Sequence, residues 1–296
     1  MFMFAILNKH PMKIFPKSLF LFILLFALYF WSCKKAEVDT DTQAAEDNSI
    51  AEQSFGQVGP TVVSVGIKEE GVKKTNIPVI GLSTEGNLFC ATVKVTDVNG
   101  KLIDSTNFTS FPKKVEIDFG TGCPDIDGRI RKGKIRAEFT NRWTIPGASV
   151  TINFVNYYVD DVNYQGIIKM TNNGNYSYST IVDGGKVTSA SPAFTIEYEC
   201  NQTTKWISGY NTDSIASDDV YEITGNANGV NRKGQTYATV IIQSLVKDMS
   251  CKWIVKGQVD LTPEKKNTRS INFGDGTCDN KAAISVNGNV KEVSLP

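Results

Sequence analysis

Apolar and polar positions alternate along most of this chain. Runs such as 91–95, 115–119, 149–154 and 237–242 are rich in β-branched and aromatic residues, and several keep a period of two. Turn signals separate them: Asn99-Gly100, Asn173-Gly174, Asp183-Gly184, Lys233-Gly234 and Asn287-Gly288. Asn-Gly and Asp-Gly tolerate the positive φ of tight hairpins, so each predicts two antiparallel neighbours. No segment beyond residue 60 carries a sustained helical period. The pattern predicts an all-β fold, an antiparallel meander or β-sandwich.

The N-terminal part reads differently. Leu19 to Trp31 is a run of thirteen residues without a charge. A spanning helix needs about 20 such residues, whereas a signal-peptide core needs roughly 7–15. Lys13 and Lys17 supply its positive flank, and Met12 makes a natural start. An uncut N-terminal anchor is the second reading. The segment Leu28-Tyr29-Phe30-Trp31-Ser32-Cys33 resembles a lipobox, an apolar run followed by a small residue and cysteine. Trp31 departs from that pattern, standing where a small residue is commoner. The expectation is a signal peptide over 1–32, cut before Cys33, with lipid on that cysteine as the membrane anchor. A polar, acidic tether follows over 33–60. Within it Ala44, Ala45, Ile50, Ala51 and Phe55 predict one short, weak helix from Thr42 to Phe55, with plain disorder as the alternative.

An internal repeat organises the rest. Val115-Glu116-Ile117-Asp118-Phe119-Gly120-Thr121-Gly122-Cys123 is echoed by Arg269-Ser270-Ile271-Asn272-Phe273-Gly274-Asp275-Gly276-Thr277-Cys278. Each is preceded by a strand that begins with cysteine, Cys90 or Cys251. Each is followed by a short hairpin, one turning near Lys132-Gly133 and the other at Asn287-Gly288. Two related lobes, 61–200 and 201–296, are the simplest account. Five cysteines remain beside Cys33, and export would let some of them pair. Two pairs from five allow fifteen arrangements. The repeat favours Cys90–Cys123 and Cys251–Cys278, leaving Cys200 over; buried free thiols are the alternative.

These residues carry a resemblance over about 80–296. Phe119-Gly120-Thr121-Gly122-Cys123, Asp127-Gly128-Arg129-Ile130-Arg131-Lys132-Gly133-Lys134 and Asp218-Asp219-Val220-Tyr221-Glu222-Ile223-Thr224-Gly225 look like an uncharacterised family of Bacteroidetes-type lipoproteins. So does Phe273-Gly274-Asp275-Gly276-Thr277-Cys278-Asp279-Asn280. The resemblance implies an outer-membrane lipoprotein and contributes no mechanism.

Charge and histidine narrow the chemistry. The chain has 31 basic and 31 acidic residues, and Lys9, Lys13 and Lys17 all precede Cys33. The mature chain would carry 28 against 31, a net charge of −3. Nucleic acid is therefore not an expected partner. The only histidine is His10. The mature chain has no histidine for triad or general-base catalysis or for zinc. Asp160-Asp161 and Asp218-Asp219 read as loop acids, because adjacent strand residues point to opposite faces. Asp125 and Asp127, with Asp275 and Asp279 in the second repeat, have a spacing that begins a calcium loop, although the distal ligands are missing. Gly229 to Thr236 approaches a phosphate loop but lacks its lysine. Asp104-Ser105-Thr106 and Asp213-Ser214-Ile215 resemble O-glycosylation sites of Bacteroidetes exported proteins. Among the aromatics, Trp206 and Trp253 read as core. Tyr157, Tyr176, Tyr178 and Trp143 are the candidate binding residues, with Tyr176 and Tyr178 expected on one face. The leading expectation is a non-enzymatic envelope module for a glycan or protein partner. A structural lipoprotein, a calcium-dependent module and a carboxylate-based hydrolase are the alternatives.

Overall fold

The computed structural model describes residues 41–68, 90–103, 110–124, 128–212 and 217–294. The signal, Cys33, the first part of the tether, Asp125, Asp127 and both glycosylation-like motifs lie outside the described residues. Residues 41–294 belong to one compact unit.

The all-β expectation holds. Fourteen strands form one antiparallel meander: β1 (Thr92–Asp97), β2 (Lys113–Asp118), β3 (Cys123–Pro124), β4 (Ile130–Phe139), β5 (Ser149–Val159), β6 (Val162–Gly174), β7 (Ser177–Ala190), β8 (Ala193–Ser208), β9 (Val220–Val230), β10 (Thr236–Asp248), β11 (Ile254–Pro263), β12 (Arg269–Asp275), β13 (Lys281–Val286) and β14 (Asn289–Ser294). Each main strand pairs with its neighbours in chain order, while β3 pairs only with β4. The sheet is open, with β1 and β14 at its edges. The division expected at 200 and 201 falls inside β8, and the sheet runs through it unbroken.

Alternation sorts the side chains by face. One row crosses eleven strands in register: Val95, Val115, Ala137, Ile152, Ile168, Val182, Cys200, Ala227, Thr239, Leu261 and Arg269. All are buried. The neighbouring row on the other face runs Lys114, Glu138, Thr151, Lys169, Ile181, Asn201, Asn226 and Val240, and it is mostly exposed. A half-buried antiparallel sheet is what this pattern encodes.

Two helices cover the inner face. The expected helix is present as α1 (Gln43–Gly56), with Ala44, Asp47, Asn48, Ala51 and Phe55 buried along one stripe. A second helix, α2 (Val58–Lys68), replaces the strand expected from Thr61. Val62, Val63, Val65 and Ile67 are buried, while Thr61 is exposed and Ser64 half-buried, so the helix is apolar except for a narrow polar stripe that Lys68 continues in sequence. Its β-branched residues suit a strand in isolation, but tertiary burial overrides that preference. Gly59 and Gly66, seven apart, let its backbone rest on the sheet. A Cβ on Gly66 would stand 2.5 Å from the Phe139 ring, and one on Gly59 would stand 2.3 Å from the Met170 sulfur. At its last turn the Gly66 carbonyl accepts from the buried Lys113 ammonium at 3.3 Å, placing a cation at the negative end of the helix. The same ammonium lies 4.9 Å from the centre of the Phe111 ring.

The start of α1 is latched to the turns after β9 and β11. Arg232 donates from its backbone N–H to Asp47 Oδ2 at 2.7 Å and from Nε to Oδ1 at 2.7 Å, and its terminal nitrogen stands 2.6 Å from Oδ1. Asp47 is fully buried. Asp41 pairs with Lys266 and, at 3.4 Å, with Lys233. The Lys266 hydrogen bond, helped by the Gln43 N–H, holds the Asp41 carboxyl at about 2. A carboxyl depressed in the fold stabilises above its unfolded value and loses that contribution as pH falls. Hydrogen exchange should therefore show the first turn of α1 losing protection between pH 3.8 and about 2. Glu52, which burial pushes up, acts with the opposite sign and sits three turns further on.

Both expected disulfides are formed. Cys90–Cys123 and Cys251–Cys278 have Cα separations of 5.5 and 5.7 Å. Each ties a residue shortly before one strand, β1 or β11, to the segment that follows its partner, β2 or β12; Cys123 lies in β3. The repeat is matched in detail. Asp118 Oδ1 accepts the Gly120 N–H at 2.9 Å, and Asn272 Oδ1 accepts the Gly274 N–H at 2.8 Å. The hairpin expected at Lys132-Gly133 is instead a bulge within β4, where Gly133 has φ 78° and a Cβ would fall 1.9 Å from the Asn156 carbonyl oxygen. Asp183-Gly184 is likewise internal to β7.

A candidate binding rim

Three of the four candidate binding residues lie inside the protein. Trp143 is 1% exposed, Tyr157 3% and Tyr178 3%. Tyr157 packs within 5.6 Å, centre to centre, of the Phe119, Phe154 and Tyr164 rings. Tyr176 is 38% exposed. It does not share a face with Tyr178, because it is not in a strand. The β6–β7 hairpin turns at Asn175-Tyr176, two residues after the Asn173-Gly174 signal, so the alternation is broken before Tyr178.

The turn is conformationally costly. Gly174, Asn175 and Tyr176 all have positive φ, at 75°, 50° and 57°. Glycine and asparagine accept this region readily; a bulky aromatic does so only when its surroundings hold it there. Here they do. The Tyr176 ring stacks on Tyr210 at 4.8 Å and 20°, and meets Trp206 edge-on at 6.2 Å. The Trp206 N–H donates to the Tyr176 carbonyl at 2.8 Å. Trp206 stacks in turn on buried Tyr221 at 5.9 Å. The Tyr221 hydroxyl reaches Asp219 Oδ2 at 3.3 Å, and burial pushes its ionisation far up. The β4–β5 loop (140–148) adjoins the turn: Gly174 lies against Pro146, and exposed Ile145 stands beside it in sequence.

The result is a rim of Tyr176 and Tyr210 packed on Trp206, with Tyr221 stacked behind it. Among the described residues the indole N–H groups of Trp143 and Trp206 are buried without a hydrogen-bond partner. Tyr210 escaped the sequence reading. Its only signal was the Ser208-Gly209-Tyr210-Asn211 turn composition, which says nothing of what the ring touches. Trp206 is core, as expected, whereas Trp253 is only half-buried, with Lys252 5.4 Å over its ring.

A second concavity of about 330 Å³ opens over β7–β10. Its charged groups answer one another: Lys186 pairs with Glu197 at 2.9 Å, and Asn228 donates to Glu199 at 3.1 Å. The Tyr237 hydroxyl, which also lines it, is buried without a hydrogen-bond partner among the described residues. Asp275 accepts the Thr277 hydroxyl at 3.0 Å and its N–H at 3.2 Å, and Asp279 accepts the Lys281 N–H at 3.0 Å. Both act as turn caps, and the Thr277 bonds hold the Asp275 carboxyl below its ordinary range. Among the described residues no three histidine, cysteine or acidic side chains converge as a metal would require. Cys200 is a buried free thiol that burial pushes up to about 11, far from reactive.

Comparison with protein-family models, with curated proteins and with solved structures finds no match for this chain.

Proposed function

We propose that the chain is an exported lipoprotein, held on the outer membrane by lipid on Cys33, whose β body binds a glycan at the Tyr176–Tyr210 rim. It does no chemistry on that partner. The carrying observation is the strained turn that holds a half-exposed Tyr176 ring against Tyr210 and Trp206. Backbone strain of about 1–3 kcal/mol persists where surrounding contacts enforce it, and such residues concentrate at ligand sites. Rigid aromatic rings also contact a partner at low entropic cost. Retention on immobilised polysaccharides tests the reading. Tyr176→Ala should weaken binding by about tenfold, the loss of one aromatic contact, with thermal stability unchanged. Retention that is absent from every polysaccharide, or untouched by the substitution, would sink it.

The burial of Tyr157 and Tyr178 favours a second reading, a structural lipoprotein whose aromatics serve packing alone. It predicts no retention and a loss of stability, rather than of binding, when Tyr176 is removed.

A further inference from the structure

The place where α1 begins has a consequence for how the body stands on a membrane. Asp41 and Asp47 are fixed to the turns at Arg232, Lys233 and Lys266, all at one end of the sheet. The Tyr176–Tyr210 rim lies at the opposite end. Glu197 pairs with Val230, beside the latched turn, and Trp206 holds Tyr176. Between Glu197 and Trp206, β8 runs about 30 Å, at some 3.3 Å for each residue.

Only eight residues lead from Cys33 to Asp41. Eight residues reach at most about 28 Å fully stretched, and a flexible chain of that length usually spans about 16 Å. A body turned rim-down would need this tether to run the length of the sheet, at the limit of its full stretch and far beyond its usual span.

We infer that, with the latch closed, the end carrying Lys233 and Lys265 faces the bilayer and the Tyr176–Tyr210 rim faces away from it. This rests on the lipid-anchored reading above. The surface that meets the lipid headgroups is the ring of turns around Lys233, Lys265 and Asp161, which are 52%, 87% and 84% exposed at their side chains. Charges of both signs are present, so tether length and latch set the orientation, rather than attraction to anionic lipid. The rim is thereby offered to partners outside the plane of the membrane, which suits an extended polymer.

Energy transfer on vesicles tests this. The mature chain, with an N-terminal hexahistidine in place of the lipid, is bound to phosphatidylcholine vesicles containing a nickel-chelating lipid and a headgroup acceptor dye. A donor is placed on Lys265→Cys at the latched end or on Thr144→Cys at the rim. Transfer from position 265 should exceed that from 144 several-fold. Equal or reversed transfer would overturn the orientation. Asp41→Ala combined with Lys266→Ala should bring the two signals together while the circular dichroism of the sheet is unchanged. An unaltered ratio would show that the latch does not set it. Separately, the full chain expressed in a Gram-negative host with an alkyne fatty acid should be labelled, and Cys33→Ala should abolish the label. Failure of that labelling overturns the lipid anchor itself, whatever the vesicle ratio shows.

Discussion

Replacing Asp47 with alanine is expected to destabilise the protein by about 3–5 kcal/mol, seen as a lower urea midpoint with an unchanged slope. The carboxylate is fully buried, on the face of α1 that meets the sheet. Both its oxygens are used: Arg232 supplies a backbone N–H, its Nε and a terminal nitrogen, and Gln43 Nε2 adds a bond at 3.1 Å. Such a pair is not a large net gain over an apolar contact, because taking two charges from water is costly. Removing one partner is another matter, since the Arg232 donors lose their acceptor. Arg232 is 31% exposed and can turn to water once Asp47 is gone, whereas Arg232→Ala strands the buried carboxylate and removes the contact with the Phe194 ring at 4.9 Å, so Arg232→Ala should cost at least as much as Asp47→Ala. The double variant should cost less than the two single losses together, as coupled groups do. Asp47→Asn, which keeps one oxygen acceptor and the side-chain volume, should fall between wild type and alanine. A loss below about 1 kcal/mol for Asp47→Ala would mean that the latch is solvated in solution.

How much of this was legible in the sequence depended on whether the information was local. Strand alternation is local, so the all-β class and the meander were legible from residue 91 onward. The repeat was legible too, and it picked both disulfides out of fifteen arrangements. Helix α2 was hidden for a physical reason: only Thr61, Ser64 and Lys68 mark its polar side, too short a helical period to stand out, and its valines mimic a strand. Asn173-Gly174 announced a turn, but the turn fell two residues later, at Asn175-Tyr176. That small slip moved Tyr176 off the strand, separated it from Tyr178 and created the only exposed ring of the four candidates. Asp183-Gly184 and Lys132-Gly133 carry the same left-handed preference as a hairpin turn and were used for bulges inside strands. Asp47 looked like one more acid in a polar tether. Its partner Arg232 lies 185 positions away, a distance at which nothing in the sequence joins them.

Phe55→Ala is expected to cost about 3–5 kcal/mol as well, and to do so across the four strands it touches. The residue lies near the end of a helix of low intrinsic apolarity, yet it touches four consecutive strands. Its ring stacks on Tyr198 in β8 at 5.8 Å and 5°, meets Tyr164 in β6 edge-on at 6.0 Å, and lies 6.2 Å from Phe154 in β5. In β7 it passes beside Gly185, where a Cβ would come within 3.1 Å of its tip, so only glycine leaves it room. Truncation opens a void at the centre of the inner face that neighbours held by sheet hydrogen bonds cannot close, so loss of contacts adds to loss of burial. Phe55→Leu should recover part of the loss, because it refills volume without restoring the stack. Native-state hydrogen exchange would locate the effect. Amides of β5 to β8 should lose protection together, whereas those of the β13–β14 hairpin, which Phe55 does not touch, should keep theirs. Loss confined to α1 would mean that the helix is an accessory to a self-sufficient sheet. Shared loss would mean that the sheet and the helix packed on it stabilise one another, which the modest helical character of residues 43–56 already requires.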